Sequence, residues 1–239
     1  MNTIKINSLN TKMIAHRGVS GIEKENTNAS FIAAGNRSYF GIETDVHKTV
    51  DGKFVAIHDD NTGRVAIDDL CVEKSTFDTL RRITLCDRDG VKGREDLHIP
   101  TLKEYICTCK RYEKTAVLEL KNSFEKQEIA SICEEITECD YLSNVIFISF
   151  DFDNLVKLRE LYPAQTVQFL TSEYTDDLPE KLAYHGFDLD ILYTELNKNR
   201  IDLLHSKGIK INCWTCDDKD AAEKLAIDGI DYITSNILE

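Results

Sequence analysis

Five short segments of the sequence carry side chains that together suit the chemistry of a phosphate ester. They supply two imidazoles, several carboxylates, one guanidinium and one ammonium, and four of the five close or follow an apolar, β-branched run. In an α/β barrel the carboxyl ends of the parallel strands meet at one face, so distant segments come together there. Such a set predicts a phosphate ester held by a divalent metal ion. The segments are His16–Gly18, Glu25–Thr27, Glu43–Asp45, His58–Asp59 and Glu119–Lys121.

The acidic residues of these segments are spaced as metal ligands. Glu43 and Asp45 are two residues apart in a predicted strand, so their side chains project from the same face. Glu119 closes the apolar run 116–118. Like charges on one face are costly unless a cation lies between them, and hard oxygen ligands favour Mg²⁺ or Ca²⁺. We therefore predict that the three acids bind one of these ions. Taken alone, Glu43 and Asp45 are equally compatible with a strand that exposes both to solvent.

The basic residues predict acid–base catalysis and phosphate binding. His16 and His58 each end an apolar run and precede a charged residue, and imidazole titrates near neutral pH. We predict that they form a general acid and base pair, with the two roles unassigned. Arg17 offers a bidentate fork for a phosphate, and Lys121 adds a compact positive charge beside Glu119. The other four histidines lack such neighbours and are interpreted as surface or structural groups.

Strands and helices alternate along the chain in a way that predicts a TIM (β/α)8 barrel, an α/β fold. Apolar, β-branched runs recur between segments of helical spacing, and about eight of them alternate with helices. The irregular, charged stretch of about 60–98 is predicted to be a small insertion after a strand that ends at His58. An open doubly wound sheet is the alternative, but no GxGxxG turn follows the first strand. Without a linker or repeat, residues 1–239 are predicted to form one domain.

Composition excludes several classes of protein. The formal net charge of −13 argues against nucleic acid or an anionic membrane as the main partner. No apolar run approaches the roughly 18 residues of a membrane span, and residues 1–10 do not resemble a secretory signal, so we expect no integral membrane segment and a cytoplasmic location. The eight cysteines form no paired CxxC set, which predicts free thiols. A homo-oligomer is compatible with all of this.

The motifs strongly resemble those of the glycerophosphodiester phosphodiesterase family. The resemblance runs through the whole chain in order, and its specific motifs lie in the first half. They are AHRG at 15–18, ENT at 25–27, IETDV at 42–46 followed by DGKFVAIHDD at 51–60, IPTLKE at 99–104 and LELK at 118–121.

The resemblance implies a fold, a reaction and roles for named residues. It implies a TIM barrel with a small insertion, Mg²⁺ or Ca²⁺ at Glu43, Asp45 and Glu119, and His16 and His58 as the catalytic pair. Arg17 and Lys121 would hold the phosphate. The reaction would be metal-dependent hydrolysis of a small-molecule glycerophosphodiester to glycerol 3-phosphate and an alcohol, with either water or the glycerol 2-hydroxyl as nucleophile.

The second half of the chain follows the family's pattern more loosely. The Trp-Thr-Val-Asn run of the family is WTCD at 214–217 here, and the Thr-Asp-x-Pro ending is TSNI at 234–237. The motif PENT is KENT, with Lys24 in place of the proline. Trp214 is predicted to bind substrate, although a packed barrel residue is an equal alternative. Two other functions stay open: a lysophospholipase D or sphingomyelinase D-like phosphodiesterase acting on lipids, and a catalytically inactive phosphodiester-binding protein.

Overall fold

A computed structural model describes residues 2–239, and the strands of that range form one closed α/β barrel with a short appended strand. The β-branched and apolar runs of the sequence form the strands because such side chains pack well on a pleated, buried surface. The strands are β1 (Lys12–Ala15), β2 (Gly41–Lys48), β3 (Phe54–Ala56), β4 (Thr115–Leu120), β5 (Val145–Ser149), β6 (Thr166–Thr171), β7 (Asp188–Leu192), β8 (Ile211–Trp214) and β9 (Tyr232–Ser235).

Eight of these strands are parallel and close on themselves in the order β1-β2-β4-β5-β6-β7-β8-β9, with β9 pairing back to β1. The pairing of β2 with β4 places Asp45 directly opposite Glu119. The TIM-barrel prediction is therefore confirmed. Since all eight strands run the same way, their carboxyl ends share one rim, which is where the loops with the candidate site residues begin.

Helices connect the strands and cover the outside of the barrel. They pack against a continuous apolar core between the barrel wall and the helix layer. Their limits are set by polar caps. Thr27 caps the first connecting helix, for example, through its hydroxyl and the amide of Ser30. Within residues 2–239, no helix is long and apolar enough to cross a membrane. The helices are α1 (Asn28–Gly35), α2 (Phe77–Arg81), α3 (Leu102–Arg111), α4 (Lys126–Glu138), α5 (Phe152–Leu161), α6 (Leu178–His185), α7 (Lys198–Ser206) and α8 (Lys219–Asp228).

The strand that leads to His58 differs from its prediction. It ends at Ala56 rather than at His58, and β3 pairs antiparallel with β2 as the second arm of a hairpin. The turn between the two arms lies at Asp51 and Gly52, and the φ angle of Gly52 is 75°, which favours glycine. His58 therefore reaches the rim from a loop after a hairpin and not from the end of a barrel strand.

The insertion between β3 and α3 has a small apolar core of its own. Leu80, Leu97 and Ile99 are buried in it, and α2 lies in this segment. The Arg81 guanidinium of α2 binds both carboxylate oxygens of Glu104 at 2.7 and 2.9 Å. Glu104 also caps α3, so this ion pair attaches the insertion to the barrel. The predicted irregular excursion is thus a packed segment over one side of the rim.

Candidate active site

Six of the eight sequence-predicted site residues line one cavity at the carboxyl end of the barrel. The cavity opens to solvent and has a volume of about 350 Å³ when its open mouth is included. The six lining residues are His16, Arg17, Glu43, His58, Glu119 and Trp214. The remaining two, Asp45 and Lys121, contact members of this set. Lys121 Nζ lies 2.9 Å from Glu119 Oε1 and 3.6 Å from Asp45 Oδ1, and Asp45 Oδ2 lies 3.6 Å from Arg17 Nε. The structure therefore brings all eight residues together.

Three buried carboxylates form an acidic cluster of Glu43, Asp45 and Glu119. One oxygen from each lies within 4.8 Å of the others, and all three residues are buried. The cluster forms because Glu43 and Asp45 share one face of β2, while the parallel register sets Glu119 of β4 beside Asp45. Asp45 Oδ1 has no hydrogen-bond partner among residues 2–239, and the Lys121 ammonium that contacts Glu119 Oε1 at 2.9 Å lies 3.6 Å from Asp45 Oδ1. A buried oxygen without a partner is costly, so the cluster is suited to a cation.

Burial sets the protonation of this cluster when no cation is bound. Burial, reinforced by the neighbouring Asp45 carboxylate, raises the pKa of Glu43 well above its usual range and that of Glu119 to about 8. Burial acts on Asp45 in the same direction, but the cations of Arg17 and Lys121 outweigh it and lower the pKa of Asp45. Burial thus favours the protonated forms of Glu43 and Glu119, whereas the neighbouring cations favour the ionised form of Asp45.

Two cations border the acidic cluster on the sides of β1 and β4. Arg17 Nε lies 3.6 Å from Asp45 Oδ2, and its backbone N–H donates to Glu43 Oε2 at 2.7 Å. Arg17 adopts a left-handed φ of 53° and Gly18 follows with 72°. A Cβ on Gly18 would lie only 2.6 Å from the backbone carbon of Ser30. Gly18 is therefore needed for the close contact between this loop and α1, which aims the Arg17 side chain at the cavity.

The segment Glu25–Thr27 supports the cluster. Asn26 Nδ2 donates to Asp45 Oδ2 at 2.7 Å, and Asn26 Oδ1 accepts from the Thr44 hydroxyl at 2.7 Å. Glu25 Oε1 accepts from Arg17 Nη1 at 3.0 Å. Asp45 therefore has one oxygen that is fixed by an amide and another that faces the cluster without a hydrogen-bond partner.

His58 is oriented by the carboxylate that follows it in sequence. Its Nδ1 lies 2.5 Å from Asp59 Oδ1, and since a carboxylate only accepts, Nδ1 carries the hydrogen. Arg64 of the insertion binds Asp59 through Nε at 2.5 Å and Glu25 through two nitrogens at 2.8 Å each. Burial opposes ionisation of Asp59, but the hydrogen bonds from Arg64 and His58 lower the pKa of its carboxyl to about 2. His58 thus has a permanently charged partner.

His16 has a neutral partner instead. Its Nδ1 lies 2.7 Å from Asn236 Oδ1, and its Nε2 lies 4.0 Å from Glu43 Oε2. Burial, together with the adjacent Arg17 guanidinium, lowers the pKa of His16 to about 4. Burial also lowers the pKa of His58, and the nearby carboxylates of Asp45 and Asp59 oppose this lowering. The two imidazoles therefore differ mainly in what their Nδ1 atoms contact.

The far wall of the cavity is apolar, with a few polar groups. Trp214 packs edge-to-face against the half-exposed Phe150, with ring centroids 5.6 Å apart. Within the described range 2–239, the indole Nε1 of Trp214 has no hydrogen-bond partner. Asp190 of β7 lines the same wall, and burial raises the pKa of its carboxyl well above its usual range. This wall offers an aromatic surface and unpaired polar atoms to the part of a ligand that extends beyond the acidic cluster.

Sequence reasoning missed three residues that hold the imidazoles in place. Arg64 lies in the irregular insertion, and Asn236 lies 220 residues from His16, so neither has a local signal. His47, interpreted as surface or structural, is fully buried on β2, and its Nε2 lies 3.2 Å from the backbone oxygen of His58. The alternation of β2 already places residue 47 on the same face as Glu43 and Asp45, which is a signal that could have been used.

Comparisons with known proteins match one family along the chain. The model of the glycerophosphoryl diester phosphodiesterase family matches residues 16–238. The protein YhdW of Bacillus subtilis, provisionally named a glycerophosphodiester phosphodiesterase, is 30% identical over 231 residues, which cover 94% of this chain and 93% of its own length. A glycerophosphodiester phosphodiesterase of Caldanaerobacter subterraneus subsp. tengcongensis is 26% identical, covering 95% of each protein.

A solved structure supports the same match in three dimensions. It is that of an Oleispira antarctica phosphodiesterase in complex with the product sn-glycerol-3-phosphate. The two structures superpose with a TM-score of 0.86 at 29% identity, covering 98% of this chain and 96% of the other.

Proposed function

The chain belongs to the glycerophosphoryl diester phosphodiesterase family and is a phosphoric diester hydrolase, and we propose that it cleaves glycerophosphodiesters with a divalent cation and the imidazoles of His16 and His58. The products are glycerol 3-phosphate and an alcohol. One observation carries this proposal: two buried acids, two imidazoles and an arginine line a single cavity, and a third buried acid, Asp45, completes the acidic cluster. The sn-glycerol-3-phosphate in the Oleispira antarctica enzyme supports the same product class.

The acidic cluster is suited to Mg²⁺ or Ca²⁺. All three donors are carboxylate oxygens, and hard cations take such ligands. Glu43, Asp45 and Glu119 would hold the ion. A bound divalent ion would neutralise charge on a phosphate and so stabilise the charge that develops during the reaction. The cationic side chains of Arg17 and Lys121 complete a positive surface on which the phosphate oxygens can bind.

The contacts of the two imidazoles assign them different roles in this proposal. His58 donates its Nδ1 hydrogen to the Asp59 carboxylate, which favours the protonated ring and opposes the lowering of its pKa by burial, so we assign His58 as the general acid for the leaving alkoxide. His16 bonds to a neutral amide, and its lowered pKa keeps the ring neutral, so it accepts the proton of the nucleophile at Nε2. That nucleophile is water or the glycerol 2-hydroxyl.

Trp214 and its neighbours are proposed to contact the substrate outside the phosphate. The free indole N–H of Trp214 can donate to a substrate oxygen, and the Phe150 ring extends the aromatic surface toward solvent. This wall is small, and Asp190 adds a buried polar group to it. A small polar alcohol therefore suits it better than an acyl chain.

The substrate comparison tests this function and separates it from the two alternatives. Turnover of glycerophosphocholine, of a lysophospholipid and of sphingomyelin should be measured with Mg²⁺, with Ca²⁺ and with EDTA. We expect hydrolysis of glycerophosphocholine that EDTA abolishes, and much slower hydrolysis of both lipids. Preference for either lipid would support the lipid-acting alternative, and no turnover of any phosphodiester would support the inactive one. Full activity in EDTA would refute the role of the acidic cluster.

A further inference from the structure

The side chains of Asp217 and Asn236 meet at the rim of the barrel beside His16. Asp217 lies just after β8, and Asn236 directly follows β9. Asn236 Nδ2 donates to Asp217 Oδ2 at 2.6 Å, and the backbone N–H of Asn236 donates to Asp217 Oδ1 at 2.8 Å. The hydroxyl of Ser235 donates to the same Oδ1 at 2.7 Å. One carboxylate therefore holds both the backbone and the side chain of Asn236.

These contacts fix which way the amide of Asn236 faces. A carboxylate only accepts hydrogen bonds, so the amide group that meets Asp217 must be the NH₂. With the amide reversed, two oxygens would face each other at the 2.6 Å that now separates Nδ2 from Oδ2. The amide oxygen is consequently directed away from Asp217, where it accepts from the Ser20 hydroxyl at 2.6 Å and contacts His16 at 2.7 Å.

The orientation of the amide in turn fixes where His16 carries its hydrogen. An amide oxygen cannot donate, so His16 Nδ1 must be the donor, whether the ring is neutral or protonated. Only Nε2 can then take up or release a proton, and Nε2 is the atom nearer to Glu43 of the acidic cluster. Without such a partner, a neutral histidine prefers to carry its hydrogen on Nε2, which would leave no acceptor there.

We propose that Asp217 and Asn236 are positioning residues that hold His16 in its Nδ1–H form, so that Nε2 is free for proton transfer at the substrate. The catalytic part of this proposal rests on the proposed function, whereas the tautomer does not. The network contains two of the positions at which the chain departs from the family's motifs: Asp217 replaces the asparagine of Trp-Thr-Val-Asn, and Ser235 replaces the aspartate of Thr-Asp-x-Pro.

The tautomer can be read directly by NMR. The full chain, labelled with ¹⁵N-histidine and supplied with Mg²⁺, is recorded in long-range ¹H–¹⁵N spectra at a pH where the rings are neutral. His98 is an internal standard, because its Nδ1 lies 2.9 Å from the backbone oxygen of Ile83, which only accepts. We expect His16 to show the Nδ1–H pattern of His98 in the native protein and to lose it in Asn236→Leu. A native His16 with its hydrogen on Nε2 would overturn the proposal.

Kinetics test the consequence for catalysis. In Asn236→Leu and Asp217→Ala we expect kcat for glycerophosphocholine to fall by about 10–100-fold. KM should stay within about twofold, because neither Arg17 nor the acidic cluster is touched. The double variant Asp217→Asn/Asn236→Asp exchanges donor and acceptor between the two positions and keeps an acceptor for His16. It should restore the Nδ1–H form and recover kcat by at least about tenfold relative to Asn236→Leu.

The neighbouring acid provides the control. Asp218 caps α8 through the amide of Ala221, and Asp218→Asn removes its charge while keeping a capping side chain. This variant should leave both the His16 tautomer and kcat unchanged. Loss of the tautomer without a change in kcat, or a fall in kcat with the tautomer intact, would contradict the proposal. If Asn236→Leu does not fold, the spectrum of the native protein and the spectrum and kcat of the double variant test the proposal instead. Normal turnover by His16→Ala would refute the proposed function, and the spectra would still decide the tautomer.

Discussion

Binding of a divalent cation to the acidic cluster should release protons, and the number released follows from the burial of its acids. Before the ion binds, burial keeps the pKa of Glu119 at about 8 and that of Glu43 well above its usual range, whereas Asp45 is ionised. A metal ligand must be deprotonated. The ion therefore has to displace protons from two of its three ligands.

The magnitude can be worked out from these shifts. At pH 7 a carboxyl with a pKa of about 8 is roughly 90% protonated, so Glu119 alone contributes about one released proton. Glu43 is shifted in the same direction, and we expect a total of about one to two protons per ion. Below pH 8 the apparent affinity should consequently increase about 10–100-fold for each unit by which the pH is raised, and this dependence should flatten as the pH passes the pKa of Glu119.

Titration calorimetry measures this number directly. Binding of Mg²⁺ or Ca²⁺ is recorded at pH 7 in buffers that differ in ionisation enthalpy, and the slope of the observed enthalpy gives the protons released. Glu119→Gln should lower the slope by about one proton and weaken binding. Glu135→Gln is a matched control, since burial raises the pKa of that carboxyl too, but it lies on α4 outside the cluster. A slope of zero in the native protein would refute the description of the cluster.

Three further substitutions test how the rest of the structure supports the cavity. Gly18→Ala forces a side chain into a left-handed backbone against Ser30, and we expect urea unfolding to show a loss of about 1–3 kcal/mol together with reduced kcat. Leu80→Ala, in the apolar core of the insertion, should lower the free energy of unfolding by about 2–5 kcal/mol; a loss below about 1 kcal/mol would contradict its packing. Arg64→Met removes the guanidinium that binds both Asp59 and Glu25 and should lower kcat by up to about 10²-fold, whereas unchanged kinetics would show that the insertion does not orient His58.

The barrel could be predicted because short runs rich in apolar, β-branched residues recur along the chain and alternate with segments of helical spacing. The antiparallel pairing of β3 with β2 could not be predicted, since alternation along a strand does not say whether its neighbour runs parallel or antiparallel. The insertion looked irregular because α2 spans only five residues, too few for a helical period to emerge. Leu80 and Leu97 of the insertion become part of one buried apolar core only when the chain folds.

The candidate site likewise has residues that the sequence predicts and contacts that it does not. The eight predicted residues come from strand ends and their loops, where local sequence and fold class together determine position. Arg64 reaches Glu25 across 39 residues, and Asn236 reaches His16 across 220, so these contacts depend on the closure of the barrel. Sequence spacing therefore located the acids and imidazoles but not the partners that orient the imidazoles, which is why their separate roles emerge only from the structure.

The opposite roles of the two imidazoles can be tested most directly with a pair of substrates that differ in their leaving group. Rates of native protein, His16→Ala and His58→Ala are compared on glycerophosphocholine and on glycerol phosphate p-nitrophenyl ester, whose leaving group needs no proton. Both variants should lose about 10²–10⁴-fold on glycerophosphocholine. On the p-nitrophenyl ester, His58→Ala should recover most of its rate and His16→Ala should not. Equal losses on both substrates for both variants would contradict the assignment, and the reverse pattern would exchange the two roles.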